Sequence, residues 1–110
     1  MKRDELEVKA EQALLFLHGN AKSHGKIRAT SDYLDAYVKT VLAKCKGKWP
    51  GMSASAAETS ALADPEYLAA LEQRRQANEE WYTAQFMREA AQAHISAFQT
   101  ASANERAYAG

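Results

Sequence analysis

The chain has 110 residues, and its 14 Lys and Arg balance its 14 Asp and Glu for a formal net charge of zero. Apolar residues make up 46 % and charged residues 25 %, ordinary values for a folded domain. Those totals exclude a uniformly basic nucleic-acid binder, a polyacidic tail and a mostly disordered chain. A lone cysteine excludes an intramolecular disulfide framework and any multi-cysteine zinc site.

Alanine is the outlier, at 23 residues. It is the best intrinsic helix former, so an all-α fold is expected. No apolar run approaches the roughly 18 residues of a membrane span. The start, Met1-Lys2-Arg3-Asp4-Glu5-Leu6-Glu7, turns acidic where a signal peptide needs an apolar stretch. A cytoplasmic location follows as the expectation.

The first helix is predicted from about Asp4 to Leu17, with Leu6, Ala10, Ala13, Leu14 and Leu17 on one face. Its first turn carries Asp4, Glu5 and Glu7, which suit the positive end of the helix dipole. His18-Gly19-Asn20 reads as its stop. A second helix is predicted from Lys26 to Lys46, with adjacent stripes Tyr33, Tyr37, Val41 and Leu34, Val38, Leu42, Cys45. Gly47-Lys48-Trp49-Pro50-Gly51-Met52-Ser53 reads as a loop, because Pro50 biases Trp49 away from α conformation. A short helix is predicted from Ala54 to Leu62.

Asp64-Pro65-Glu66 combines an N-cap, a first-turn proline and a first-turn acid. No Gly or Pro follows Pro65 before Gly110, so one helix is predicted from Pro65 to about Arg106. The polar stretch Glu72–Glu80 is the place for a break. Residues 1–52 thus form an N-terminal part with the basic segment and loop, and 53–110 a short helix plus the long one, within a single structural domain.

At about 1.5 Å per residue the last helix is roughly 60 Å long, whereas a compact chain of this size has a radius of gyration near about 13 Å. Its far half is not a polar stalk. Ala77, Trp81, Ala84, Ala91, Ile95 and Phe98 keep spacings of three and four, Tyr82, Phe86, Ala90, Ala93 and Ala97 widen the stripe, and Arg88 and Ser102 interrupt it. The expectation is a helical hairpin or bundle that oligomerises through its long C-terminal helix, with Trp81, Phe86, Ile95 and Phe98 at the interface. The alternative is an antiparallel monomeric bundle.

Charge is segregated along the chain. Residues 22–48 carry a net +5, against −1 before them and −4 after them. Lys39, Lys44, Lys46 and Lys48 fall within ten residues with no acid between them, and Trp49 follows. Cations for phosphates beside an aromatic that can stack on a base are what sequence-tolerant single-strand binding needs. The alternative is a solvated helix end whose lysines answer the dipole, with Trp49 in the core. Arg74 and Arg75, among Glu72, Glu79 and Glu80, read as a solvated face with local ion pairs.

Catalytic chemistry finds little support. His18, His24 and His94 have no metal-ligand spacing, no phosphate loop or dinucleotide fingerprint occurs, and Ser53, Ser55 and Ser60 lack a nucleophile elbow. Cys45 sits between Lys44 and Lys46, which would lower its pKa, but its stripe with Leu34, Val38 and Leu42 reads as a buried structural thiol. No enzyme activity, cofactor or metal is expected.

The order of features resembles a family. A helical N-terminal region leads to the basic element Leu42-Ala43-Lys44-Cys45-Lys46, then a glycine-bounded loop from Gly47 to Gly51. A short Ser-rich helix, the Ala63-Asp64 turn, a long helix with an early Trp81 and a closing Arg106-Ala107-Tyr108-Ala109-Gly110 follow. Over about residues 28–110 this is similar to the phage recombination mediator proteins of the UvsY-like group. The resemblance implies a non-enzymatic accessory protein of the host cell cytoplasm. It would form rings through C-terminal helices, bind single-stranded DNA and help load a RecA-like recombinase against single-strand-binding protein. The family's basic pair would fall on Lys44 and Lys46. Two rivals stay open: a small helical phage interaction module that inhibits a host factor without binding DNA, and a virion component.

Overall fold

The structure is a computed structural model and describes residues 2–109. It is all-α: α1 (Arg3–Lys46, 44 residues), α2 (Ala54–Leu62, 9 residues) and α3 (Pro65–Ala109, 45 residues). The loop, the short helix and the start of the long helix lie where the sequence puts them.

The N-terminal half corrects one expectation. His18-Gly19-Asn20 does not end a helix, and α1 runs without interruption through Gly19 and Gly25. Among the described residues no glycine has positive φ, so Gly19 takes helical rather than left-handed geometry. The physical reason is the face these glycines leave intact. Leu6, Ala10, Ala13, Leu17, Asn20, His24, Ile27, Ser31, Leu34, Val38, Val41 and Cys45 alternate spacings of three and four, and every one of them is buried or half-buried. That 3.5-residue period is the signature of a coiled-coil seam. A continuous seam outweighs the roughly 1 kcal/mol that each interior glycine costs.

The long helix has the same period. Tyr67, Ala70, Arg74, Ala77, Trp81, Ala84, Ala91, Ile95, Phe98 and Ser102 are buried or half-buried, and Arg88 is the exposed member of the series. Alanine recurs at every seventh position, Ala70, Ala77, Ala84 and Ala91, and all four are buried. Small side chains at that register let the facing helix approach closely. The helix is continuous through residues 72–80.

This also overturns the mismatch of length on which self-association was predicted. At about 1.5 Å per residue α1 spans roughly 66 Å and α3 roughly 68 Å. The first helix is therefore as long as the one it covers, and α3 packs against α1 of the same chain.

Contacts fall into two units. In the loop unit, Lys26–Trp81, Val38, Val41 and Cys45 of α1 meet Ala61 of α2 and Ala70 of α3, with Leu42, Tyr67 and Leu71 packed around them. Ser31 Oγ donates to Asn78 Oδ1 at 2.6 Å, and the Arg28 guanidinium lies over the Trp81 ring, 5.6 Å from its centroid. Ser53 caps α2 by accepting from the Ala56 N–H. In the terminal unit, Met1–Gly25 with Tyr82–Gly110, Ala10, Ala13, Ala84 and Ala91 form the buried seam. His24 is buried with its ring edge-on to Phe16, and Arg3 pairs with Glu105 at 2.9 Å.

Candidate functional site

The loop between α1 and α2 gathers a cluster of ion pairs. The last turn of α1 runs into Gly47, whose N–H donates to the Ala43 carbonyl at 3.2 Å. A Cβ on Gly47 would stand 3.3 Å from the Lys44 carbonyl oxygen, so glycine is what fits this close turn. Lys48 and Trp49 follow, their N–H groups donating to the Cys45 and Lys46 carbonyls.

Here the antiparallel return of the chain sets the start of α3 beside the end of α1. Asp64 caps α3 through Oδ1, which accepts from the Glu66 N–H at 2.9 Å. Its other oxygen accepts from Lys48 Nζ at 2.9 Å, and the same ammonium reaches Glu66 Oε2 at 3.0 Å. Lys44 Nζ donates to Glu66 Oε1 at 2.7 Å. Lys46 stands 3.9 Å from Glu58 of α2.

Three of the four lysines picked out for phosphate contact thus face carboxylates of the same chain. Lys39 is exposed and has no ion pair among the described residues. Trp49 is 41 % exposed, neither fully offered to solvent nor tucked into the core.

The electrostatics follow from this geometry. The hydrogen bond from Lys48, then that from the Glu66 N–H, holds the Asp64 carboxyl below its ordinary value. Glu66 is held low by its bonds from Lys44 and Lys48. Lys44 is raised by Glu66, and Lys48 by Asp64 and then Glu66. Cys45 is fully buried. Its thiol is pushed up by desolvation and then by Asp64, against a smaller opposing influence from Lys48. The flanking lysines therefore do not activate it, and it is the structural thiol that its stripe implied.

Cys45, Asp64 and Glu66 bring one donor atom each to within 4.8 Å of one another. A soft thiol with two carboxylates is a mixed donor set, and the Lys48 ammonium already binds both carboxylates. The cluster is an internal salt-bridge network closed by a lysine.

The four aromatic and aliphatic residues predicted at an oligomer interface divide. Trp81, Ile95 and Phe98 lie on the seam register and are half-buried, whereas Phe86 is 68 % exposed. Sequence reasoning missed the counter-ions Asp64, Glu66 and Glu58. It read the first two only as cap and first-turn acid, which they also are; their second role depends on the fold-back. It also missed the polar seam positions Asn20, His24 and Ser31, although the 3–4 spacing of α1 runs through them, and Asn78, which stands beside the α3 seam and accepts from Ser31.

Among the described residues no helix is long and apolar enough to cross a membrane. Comparison with protein-family models, curated proteins and solved structures finds no match.

Proposed function

We propose that this chain is a non-enzymatic helical-hairpin interaction module, which works by associating its long helices with other protein chains, its own copies first. One observation carries the reading. The buried seam is mostly alanine, while Leu15, Tyr33, Leu68, Tyr82 and Phe86 are all half-exposed or more.

A mediator-like grip on single-stranded DNA is the second reading, and Lys39 and Trp49 favour it, being the two predicted contacts not held by carboxylates. Lys44, Lys46 and Lys48 would have to exchange protein carboxylates for phosphates. Light scattering of the pure chain, with and without a single-stranded oligonucleotide at low salt, separates the two. The interaction module gives a mass above one chain that the oligonucleotide leaves unchanged. A one-chain mass, or a mass that rises with oligonucleotide and falls back as salt is added, would overturn it.

A further inference from the structure

Ser102 follows Ile95 and Phe98 on the seam register of α3, where an apolar side chain would pack without loss. Its hydroxyl oxygen is buried and, alone among the buried side-chain nitrogen and oxygen atoms of the described residues, has no hydrogen-bond partner. A helical hydroxyl has a ready partner in the carbonyl four residues back. Thr59 uses it, donating to the Ser55 carbonyl at 3.0 Å; Ser102 does not. Nearly all buried polar groups in folded proteins are partnered, so this hydroxyl marks a place for a group from outside the chain.

The same residue lines an open recess of about 590 Å³ within the terminal unit, together with Arg3, Phe98, Gln99, Glu105 and Arg106. Small-molecule sites run from about 300 to 1,000 Å³. Two guanidinium groups here face one carboxylate, so the lining is cationic. Arg3 engages Glu105 through Nε at 2.9 Å. Arg106 is exposed and pairs with no carboxylate among the described residues. Its planar fork of N–H donors matches the oxygens of a carboxylate or a phosphate. The Gln99 amide adds further donors, and Phe98 supplies a half-buried apolar wall.

We propose that this recess binds a small oxyanion, a carboxylate or phosphate carried on an apolar body. Arg106 takes the anionic oxygens, Ser102 donates its hydroxyl to one of them, and Phe98 packs against the apolar part. Glu105 holds Arg3 at the rim and opposes the ligand's charge, which sets the affinity below what two free guanidiniums would give. The site is assembled by the hairpin itself: Arg3 stands in the first turn of α1 and the other five residues in the last turns of α3. It stands or falls without the interaction reading above.

Calorimetric titration of the full chain with phenyl phosphate, with benzoate and with phenol as the uncharged control tests it. An anion is expected to bind where phenol does not, and the tighter of the two anions tells phosphate from carboxylate. Arg106→Gln is expected to weaken binding at least about tenfold, by loss of charge-assisted hydrogen bonds. Glu105→Gln is expected to tighten it roughly two- to fivefold, because it removes an exposed negative charge and releases Arg3. Ser102→Ala is expected to weaken it about two- to tenfold while leaving the thermal midpoint of the free chain unchanged or higher, since the lost hydroxyl had no partner. Failure of both anions to bind at millimolar concentration, equal binding of phenol, or an affinity that Arg106→Gln does not move would overturn the site.

Discussion

Ser31 of α1 and Asn78 of α3 are joined across the seam by a 2.6 Å hydrogen bond from Oγ to Oδ1. Ser31 is buried on a register otherwise used by Ala10, Val38 and Cys45, so the bond fixes how far one helix slides along the other. Replacing Asn78 by Ala strands a buried hydroxyl and is expected to cost about 1–3 kcal/mol. The double variant Ser31→Ala with Asn78→Leu is expected to recover most of that loss. Urea unfolding midpoints of the single and double variants check it.

Gly19 and Gly25 lie inside α1, and a Cβ on either meets nothing within 4 Å. Alanine at each position is expected to stabilise the chain by about 0.5–1 kcal/mol, through the lower entropy of the unfolded chain and the better helix propensity. Thermal unfolding of the two single variants tests this. A loss of stability in either would mean the helix is not continuous there.

The alanines of the seam are predicted to be intolerant of size. Ala77→Leu or Ala84→Leu forces a large side chain into the close approach and is expected to destabilise by about 1–3 kcal/mol. Ala69→Leu, exposed on the same helix, is expected to change stability by less than about 0.5 kcal/mol. Denaturant midpoints distinguish the two classes.

The Lys44–Glu66–Lys48–Asp64 cluster gives a pH dependence of defined sign. Asp64 and Glu66 are depressed below their ordinary 3.8 and 4.5, so their contribution is present above those values and is lost as pH falls through the depressed ones. Lys44 and Lys48 are raised above 10.5, so theirs is present below pH 10.5 and is lost as pH rises through the raised values. The difference in thermal midpoint between the unaltered chain and Lys48→Met is expected to be flat in between and to shrink towards both extremes. The Lys44, Lys48 and Glu66 side chains are part-exposed while that of Asp64 is mostly buried, so added salt is expected to shrink the difference only in part.

Cys45 is fully buried and its thiol is raised by desolvation. A thiol reagent is expected to modify it only as fast as the three-helix corner opens, and immediately in denaturant. Rapid modification of the folded chain would contradict its place in the core.

Much of the fold was legible because local signals and tertiary packing agree. Asp64-Pro65-Glu66 specifies a helix start by capping chemistry alone, and the structure starts α3 at Pro65. Gly19 was misread because a local rule, glycine as a stop, competed with a long-range one. The spacing of three and four that passes through Leu17, Asn20, His24 and Ile27 includes two polar residues, which hid its continuity. At the candidate site the run of lysines was plain in the sequence, but their partners were not. Asp64 and Glu66 are 16 and 18 residues from Lys48, and only the fold-back of α3 on α1 makes them neighbours. Charge density along a chain therefore overstates charge on a surface when the next helix begins with acids.

The most direct measurement is the solution mass of the chain over a hundredfold range of concentration. Association through helical faces predicts a mass that is a multiple of 12.2 kDa and that dissociates towards one chain on dilution. A constant mass of one chain at every concentration would contradict the proposal.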